Sequence, residues 1–166
     1  MRDRMLSKAD FMPSLLGTMS AIGGTYIGAS IDRKGFSDVL AFYAIGALNP
    51  TNFTGPVTVA IKVQESADNS TWSDITNGAY NAGSFAFSTV TLTSTQPQIY
   101  KGEKYERFDD ANRKQWIRMH ATVGGTVGFG PKVCAGFLLS RPVDTYYVGQ
   151  GSTQGTGGAD FTIAIR

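Results

Sequence analysis

The sequence predicts an all-β protein: a two-sheet antiparallel β-sandwich of jelly-roll-like type, with about eight strands and extended N- and C-terminal arms. Two observations support this fold class. Short apolar segments recur along the chain, several of them with an alternating pattern, and the chain has 20 glycines, with Ser, Thr and Asn crowded between these segments. Turns therefore follow one another at roughly even spacing, which is typical of a sandwich or jelly roll.

The length and composition suit a single core. The chain has 166 residues, of which 42% are hydrophobic and 17% are charged. We expect an N-terminal arm over residues 1–24, the sandwich over 25–148, and a glycine-rich linker with a C-terminal strand over 149–166. The net charge of +2, with basic residues spread among acidic ones, gives little support to nucleic-acid binding. No segment approaches the roughly 20 apolar residues that span a bilayer, so we expect no membrane contact and synthesis in a cytosol.

Three segments predict strands with different surroundings. Thr25–Asp32 is expected to be the first strand, ended by the polar turn at residues 32–35. Val39–Leu48 is almost wholly apolar, which predicts a strand buried on both faces. In Ser84–Leu92 the apolar positions change phase part-way, so we expect a bulge or an edge position there.

The cleanest alternation in the chain is Val57–Gln64, which predicts a strand with one apolar and one solvated face. The residues after it, up to Thr71, are rich in Asp, Asn and Ser, which fold their side chains onto the backbone in turns. We therefore predict a hairpin or tight corner that returns Trp72 and Ile75 toward the core.

The second half of the chain begins with its most charged segment, Lys101–Lys114, where helix-like spacing is conceivable across Asp109–Lys114. Gln115–Val123 and Lys132–Ser140 follow as two strands, and the glycine-rich residues between them predict a second hairpin. The single cysteine, Cys134, lies in an apolar run and is expected to be a buried thiol.

The sequence contains no evident catalytic or metal-binding constellation. A catalytic triad needs histidine, and the one histidine, His120, is predicted to point outward from its strand, beside Trp116 and Arg118. Zinc sites take several Cys or His ligands, and the oxygen-rich segments Asp68–Ser70 and Asp109–Asn112 lack the spacing of an EF-hand. We therefore expect no enzyme activity, no metal and no cofactor.

Three stretches resemble head proteins of tailed bacteriophages. Val63–Ile75 is similar to a hairpin that is common in phage structural proteins. Arg113–Val123 together with Lys132–Ser140 resembles the closing strands of capsid cement proteins, and the arm that leads into Thr25–Asp32 looks like the beginning of the same proteins. The chain thus resembles the jelly-roll type cement or decoration proteins that stabilise phage heads.

The resemblance implies a structural virion protein, placed in many copies on the capsid exterior and bridging neighbouring capsid subunits. Its partners would be the major capsid protein and itself, as a dimer or trimer. Exposed strand edges and flexible arms suit such contacts. The residues that we expect to bind partners lie in the two arms and just before the second one: Phe11, Leu15, Leu16, Tyr146, Tyr147, Phe161, Ile163 and Ile165.

Aromatic residues leave a second class of function open. Trp72, Trp116, Tyr146 and Tyr147 could form a platform on which sugars stack, as in a carbohydrate-binding or host-adhesion module of a virion fibre. For the two tryptophans, packing in the core is the favoured interpretation. A binding test on glycans separates the two classes.

Overall fold

The computed structural model describes residues 9–19, 23–46, 56–76, 84–93, 99–108, 113–125 and 131–140. In these ranges the chain forms ten strands in two antiparallel sheets and no helix, which confirms the predicted β-sandwich. The strands are β1 (Ala9–Thr18), β2 (Thr25–Ile27), β3 (Ile31–Asp32), β4 (Asp38–Ile45), β5 (Val57–Ser66), β6 (Ser73–Asp74), β7 (Val90–Leu92), β8 (Tyr100–Arg107), β9 (Trp116–Gly125) and β10 (Lys132–Ser140).

The two sheets differ in size and in strand order. Sheet A has four strands in the order β1-β10-β4-β8, and sheet B has the path β2-β9-β5-β6, with β3 also paired to β9 and β7 also paired to β5. One hydrophobic cluster fills the space between the sheets. Pairing between strands that are distant in the sequence lets a sandwich bury the inner faces of both sheets.

Strands β5 and β9 pair along their whole length at the centre of sheet B. The inward side chains of both strands are almost fully buried, which confirms the predicted alternation. Each large aliphatic side chain that is removed from water in this way contributes roughly 1.5–3 kcal/mol. The inward residues are Val57, Val59, Ile61 and Val63 on β5 and Ile117, Met119, Ala121 and Val123 on β9.

Strand β4 is not buried on both faces as predicted. The apolar segment Val39–Leu48 was expected to be buried on both faces, but β4 alternates between buried and half-buried residues. Val39 and Ala41 lie in the core, whereas Leu40 and Phe42 lie on the other side of sheet A. No further layer covers that side in the described part of the chain, so an almost wholly apolar strand has one face at the surface.

The N-terminal segment also differs from its prediction. Residues 1–24 were expected to be an arm, but Ala9–Thr18 pairs with β10 and forms an edge strand of sheet A. Its register shifts at Ser14, whose carbonyl accepts a hydrogen bond from the Ala29 amide (2.7 Å) and whose Oγ accepts one from the Met119 amide (3.0 Å). Through this bulge β1 also bonds to the residues of sheet B.

The predicted first strand, Thr25–Asp32, is interrupted where it passes Ser14. Its two ends form β2 and β3, both paired with β9. Between them the amide of Gly28 donates to the Met119 carbonyl (2.9 Å), so this stretch stays attached to sheet B while it contacts β1. Non-local contacts of this kind leave no periodic signal in the sequence.

The second predicted hairpin is wrong. Strand β9 lies in sheet B and β10 lies in sheet A, so the glycine-rich segment between them connects the two sheets. Each strand instead has partners that are distant in sequence, β5 for β9 and both β1 and β4 for β10.

The charged segment Lys101–Lys114 contains a strand and buried groups. Tyr100–Arg107 pairs with β4 along its full length, and Glu106 is fully buried. Residues 109–112 lie outside the described ranges, so the helix-like spacing there stays a prediction. The side chain of Arg113 is only 7% exposed, which shows that this segment is less solvated than its composition predicted.

Arg113 belongs to a cluster that closes one end of the sandwich. The Arg33 guanidinium lies 4.7 Å from the centre of the Phe108 ring and donates to the carbonyls of Lys114 (2.6 Å) and Phe108 (3.2 Å). An Arg113 Nη1 lies 3.5 Å from a Glu65 carboxylate oxygen. Burial lowers the pKa of Arg33, while Glu65 opposes that shift. Arg33 and Arg113 are thus held beside the Glu65 carboxylate at a largely buried site.

The hairpin after β5 is confirmed. Strand β6 pairs with the end of β5, and the turn between them is organised by Asp68. The Asp68 carboxylate accepts hydrogen bonds from the amides of Ser70 (2.9 Å) and Thr71 (2.7 Å), while Asn69 has a left-handed φ of 57°. These two backbone hydrogen bonds hold the pKa of Asp68 well below its usual range.

The depressed pKa of Asp68 predicts how this turn responds to pH. A carboxyl with a lowered folded-state pKa stabilises fully above its ordinary pKa, and the contribution declines as the pH falls toward the folded-state value. We expect the Ser70 and Thr71 amides to lose hydrogen-exchange protection below about pH 4. Asp68→Asn should remove this pH dependence and keep the turn, whereas Asp68→Ala should open the turn at every pH. Unchanged protection in acid would contradict the assignment.

Candidate functional site

The outer side of sheet A presents apolar side chains to solvent. In antiparallel pairs, residues directly opposite each other share a face of the sheet. Phe11 of β1 is opposite Leu138 of β10, which is opposite Leu40 of β4, and Leu16 is opposite Cys134. Phe11 also stacks on Phe42, with ring centroids 5.5 Å apart. We call the set Phe11, Leu16, Leu40, Phe42 and Leu138 the outer apolar face.

Two members of the outer apolar face are strongly exposed. Phe11 is 55% exposed and Leu16 is 64% exposed, whereas the other three are half-buried by their neighbours. Ile99, which directly precedes β8, is 78% exposed and lines a shallow depression together with Ala44 and Cys134. Contiguous exposed apolar surface of this kind usually marks a site where another molecule binds.

The expectation that Cys134 is a buried thiol is wrong, because its side chain is exposed. The physical reason is the strand period. Val133, Ala135 and Phe137 occupy the inward positions of β10, so the residues between them face outward. The sequence run is apolar throughout because one side of β10 lines the core and the other side belongs to the surface of sheet A.

The predicted partner-binding residues of β1 separate into two groups. Phe11 and Leu16 lie on the outer apolar face, but Leu15 is 8% exposed and packs in the core. The bulge at Ser14 explains the difference, since it shifts the alternation between Pro13 and Leu15 and turns Leu15 inward. The remaining predicted residues, Tyr146, Tyr147, Phe161, Ile163 and Ile165, lie outside the described residues.

Sequence reasoning missed three members of the outer apolar face, Leu40, Phe42 and Leu138. Each belongs to a strand whose apolar residues are nearly continuous, so the pattern does not separate the inner side from the outer side. The composition of these strands was the available signal for an apolar outer side. Two neighbouring strands whose residues are mostly apolar on both faces need a partner on both sides, and the sandwich supplies it on one side only.

The outer side of sheet B is polar by contrast. The Arg118 guanidinium lies 4.1 Å from the centre of the Trp72 ring and donates to the Gln64 side-chain oxygen (2.8 and 3.0 Å). Gln64 in turn donates to Asp74 (2.9 Å), which also pairs with Lys62 (2.7 Å). The chain of contacts satisfies these side chains mutually and makes this surface a structured polar layer.

The expectation that both tryptophans pack in the core is wrong. Trp72 is half-buried beside Arg118, and Trp116 is half-buried in the outward phase of β9. The inner positions near them are taken by Ile75 and Ile117, which are almost fully buried. Neither tryptophan therefore belongs to the core, and Trp72 packs against the Arg118 guanidinium instead.

His120 lies in the outward phase of β9, as predicted, and is half-buried. Its register partner on β5 is Lys62, and its Nδ1 is buried without a hydrogen-bond partner. Burial, and then the charge of Lys62, lower the pKa of His120, while Asp74 opposes the shift. Both effects favour the neutral imidazole, and the charged groups that act on it are those of the polar layer.

Within the described ranges, no group of three or more His, Cys, Asp or Glu side chains is arranged to hold a metal ion. The same part of the chain contains no helix with the length and apolar character needed to cross a membrane.

Comparisons with known proteins give little further information. No family model matches the chain, and no curated protein matches it. Among solved structures, the dimeric latent PorU of Porphyromonas gingivalis aligns with 81% of this chain at a TM-score of 0.46 and 9% identity. This chain spans 13% of the length of that protein. A likeness this slight bears on neither the fold nor the function.

Proposed function

We propose that this protein is a non-enzymatic structural component of a tailed-phage particle, which binds the outside of the capsid and stabilises it by bridging neighbouring subunits. The observation that carries the proposal is the outer apolar face, with Phe11 and Leu16 more than half exposed. A surface of this kind fits a protein that works by contact with other proteins. The resemblance of Val63–Ile75 and the last strands to phage head proteins supplies the identity of the assembly.

The mechanism that follows is thermodynamic linkage. A protein that binds assembled capsid subunits and not separated ones shifts the equilibrium toward the assembled shell. Contacts that are weak singly become strong when one molecule engages two subunits at once. On this proposal the sandwich is a rigid spacer, and the stabilisation comes from the number of copies on the shell.

The test compares particles assembled with and without this protein. We expect particles that lack it to release DNA at a lower temperature and to break more readily on osmotic shock. Adding the purified full chain back should restore both, and a cryo-EM map of the restored particles should show density for the sandwich on the capsid exterior. Equal resistance of the two kinds of particle, or no binding on addition, would contradict the proposal.

A carbohydrate-binding role is the second candidate, and the position of Trp116 on the outer side of sheet B favours it. Trp116 is half-buried and not in the core, so part of its ring could stack on a sugar. A glycan array with the full chain and with Trp116→Ala distinguishes the roles. Binding that depends on Trp116, in a protein that leaves particle stability unchanged, would favour adhesion.

A further inference from the structure

We infer that the outer apolar face binds the same face of a second copy of this chain, so that two sheets A pack face to face in a two-fold dimer. The inference deepens the proposed function and rests on it: the outer apolar face would serve contact between copies, and the dimer would present the remaining surface of each sandwich to the capsid twice. A two-fold interface uses one patch twice, so a self-complementary patch is sufficient.

The area of sheet A is large enough for contact with a second copy. Four strands about 4.8 Å apart and about eight residues long make a surface of roughly 500 Å² on each copy. Two such surfaces bury about 1,000 Å² in total, which is the lower limit for a specific interface and suits a weak, concentration-dependent dimer. The strongly exposed residues Phe11 and Leu16 lie on this surface, where burial of their side chains yields the most free energy.

The shape of the face and its distribution of charge also suit a second copy. A sheet face packs naturally against another sheet face at about 10 Å, as the two sheets of this sandwich already do. The middle strands β10 and β4 carry Leu138, Leu40 and Phe42 on this side, while the exposed charged residues Lys101 and Glu103 lie on the edge strand β8 and Lys132 lies at the start of β10. An apolar centre with a charged rim of both signs is the usual anatomy of a protein interface.

The experiment measures the mass of the full chain by light scattering and sedimentation over a wide range of concentration. We expect a concentration-dependent dimer for the wild type. Leu16→Lys should raise the dimer dissociation constant at least about 100-fold, because each copy would bury a lysine in the interface. The matched control is Ile27→Lys on sheet B, where Ile27 is exposed to a similar degree, 57% against 64%, and the dimer should persist.

The single cysteine of the chain provides a second measurement that needs no substitution. Cys134 is exposed and lies opposite Leu16, so its alkylation rate reports whether the face is covered. We expect the rate to fall as the dimer forms. Slow alkylation of a monomer at every concentration would mean that the chain's own residues cover the face, and it would overturn the inference.

The other outcomes are equally decisive. A wild type that stays monomeric throughout, a trimer, or a dimer that Leu16→Lys leaves intact would each overturn the face-to-face dimer. Failure of the proposed function is a separate result. A Leu16-dependent dimer that does not bind particles would refute capsid binding alone, whereas a monomer that stabilises particles would refute the dimer alone.

Discussion

Replacing Glu65 with alanine is expected to lower the free energy of unfolding by about 3–5 kcal/mol, the usual cost of removing one partner of a buried ion pair. Glu65 is 6% exposed. One carboxylate oxygen lies 3.5 Å from Arg113 Nη1, and the other accepts a hydrogen bond from the Lys114 amide (3.2 Å). The variant would leave the Arg113 guanidinium buried without this carboxylate and would remove an acceptor from a partly buried amide.

The Glu65→Ala substitution also affects Arg33, because burial disfavours the cationic form of Arg33 and Glu65 favours it. Glu65 thus offsets the charge of two guanidinium groups at the closed end of the sandwich. Glu65→Gln keeps the shape of the side chain and loses its charge, so it should fall between the wild type and Glu65→Ala. Urea denaturation of each variant measures the differences.

The control is Glu103→Ala, which changes the same residue type at an exposed position of β8. Surface substitutions of this kind usually alter the free energy of unfolding by no more than about 0.5 kcal/mol. If the free energy of unfolding of Glu65→Ala differed from that of the wild type by no more than about 0.5 kcal/mol, the ion pair would contribute nothing to stability. The contacts of Arg33 and Phe108 would then hold the cluster instead.

The parts of the fold that the sequence predicts are those with a local physical signature. Val57–Gln64 alternates because one side of β5 meets the core and the other meets the polar layer, and that contrast is visible residue by residue. The turn at Asp68 is equally local, since its hydrogen bonds reach only two or three residues along the chain. Both predictions are confirmed.

The parts that the sequence does not predict depend on partners distant along the chain. The glycine-rich segment after Gly125 has the composition of a hairpin turn, but β9 and β10 find better partners in β5 and β4 and so belong to different sheets. Strand β1 is similar, because Ala9–Thr18 shows no regular alternation and pairs with residues more than 100 positions away. Pairing energy of this kind is set by the whole sheet.

The candidate site was predicted in part for the same reason. Phe11 and Leu16 are large apolar residues in a weakly patterned segment, which made them candidates for contact with a partner, and both are exposed. Leu15 has the same character, but a bulge one residue earlier places it in the core. A change of one residue in register reverses the face of every residue that follows, and the sequence carries no separate mark of it.

The second large effect is expected at Gly28, where the stretch between β2 and β3 passes close to β1. A Cβ at this position would lie 2.8 Å from the Ser14 carbonyl oxygen and closer still to its Oγ. The backbone of Ser14 is fixed by its hydrogen bond to Ala29, so it cannot move away without losing that bond. Overpacking together with one lost hydrogen bond predicts that Gly28→Ala lowers the free energy of unfolding by about 2–4 kcal/mol.

The matched control is Gly46→Ala, where the nearest atom to the new Cβ lies 3.9 Å away, in ordinary contact. This substitution should be neutral or slightly stabilising, because alanine restricts the unfolded chain more than glycine does. Thermal unfolding of the two variants measures the difference, and equal midpoints would contradict the close contact at Gly28. Since β1 carries Phe11 and Leu16, detachment of Ser14 should also weaken dimerisation, which links this buried contact to the surface that we propose binds a partner.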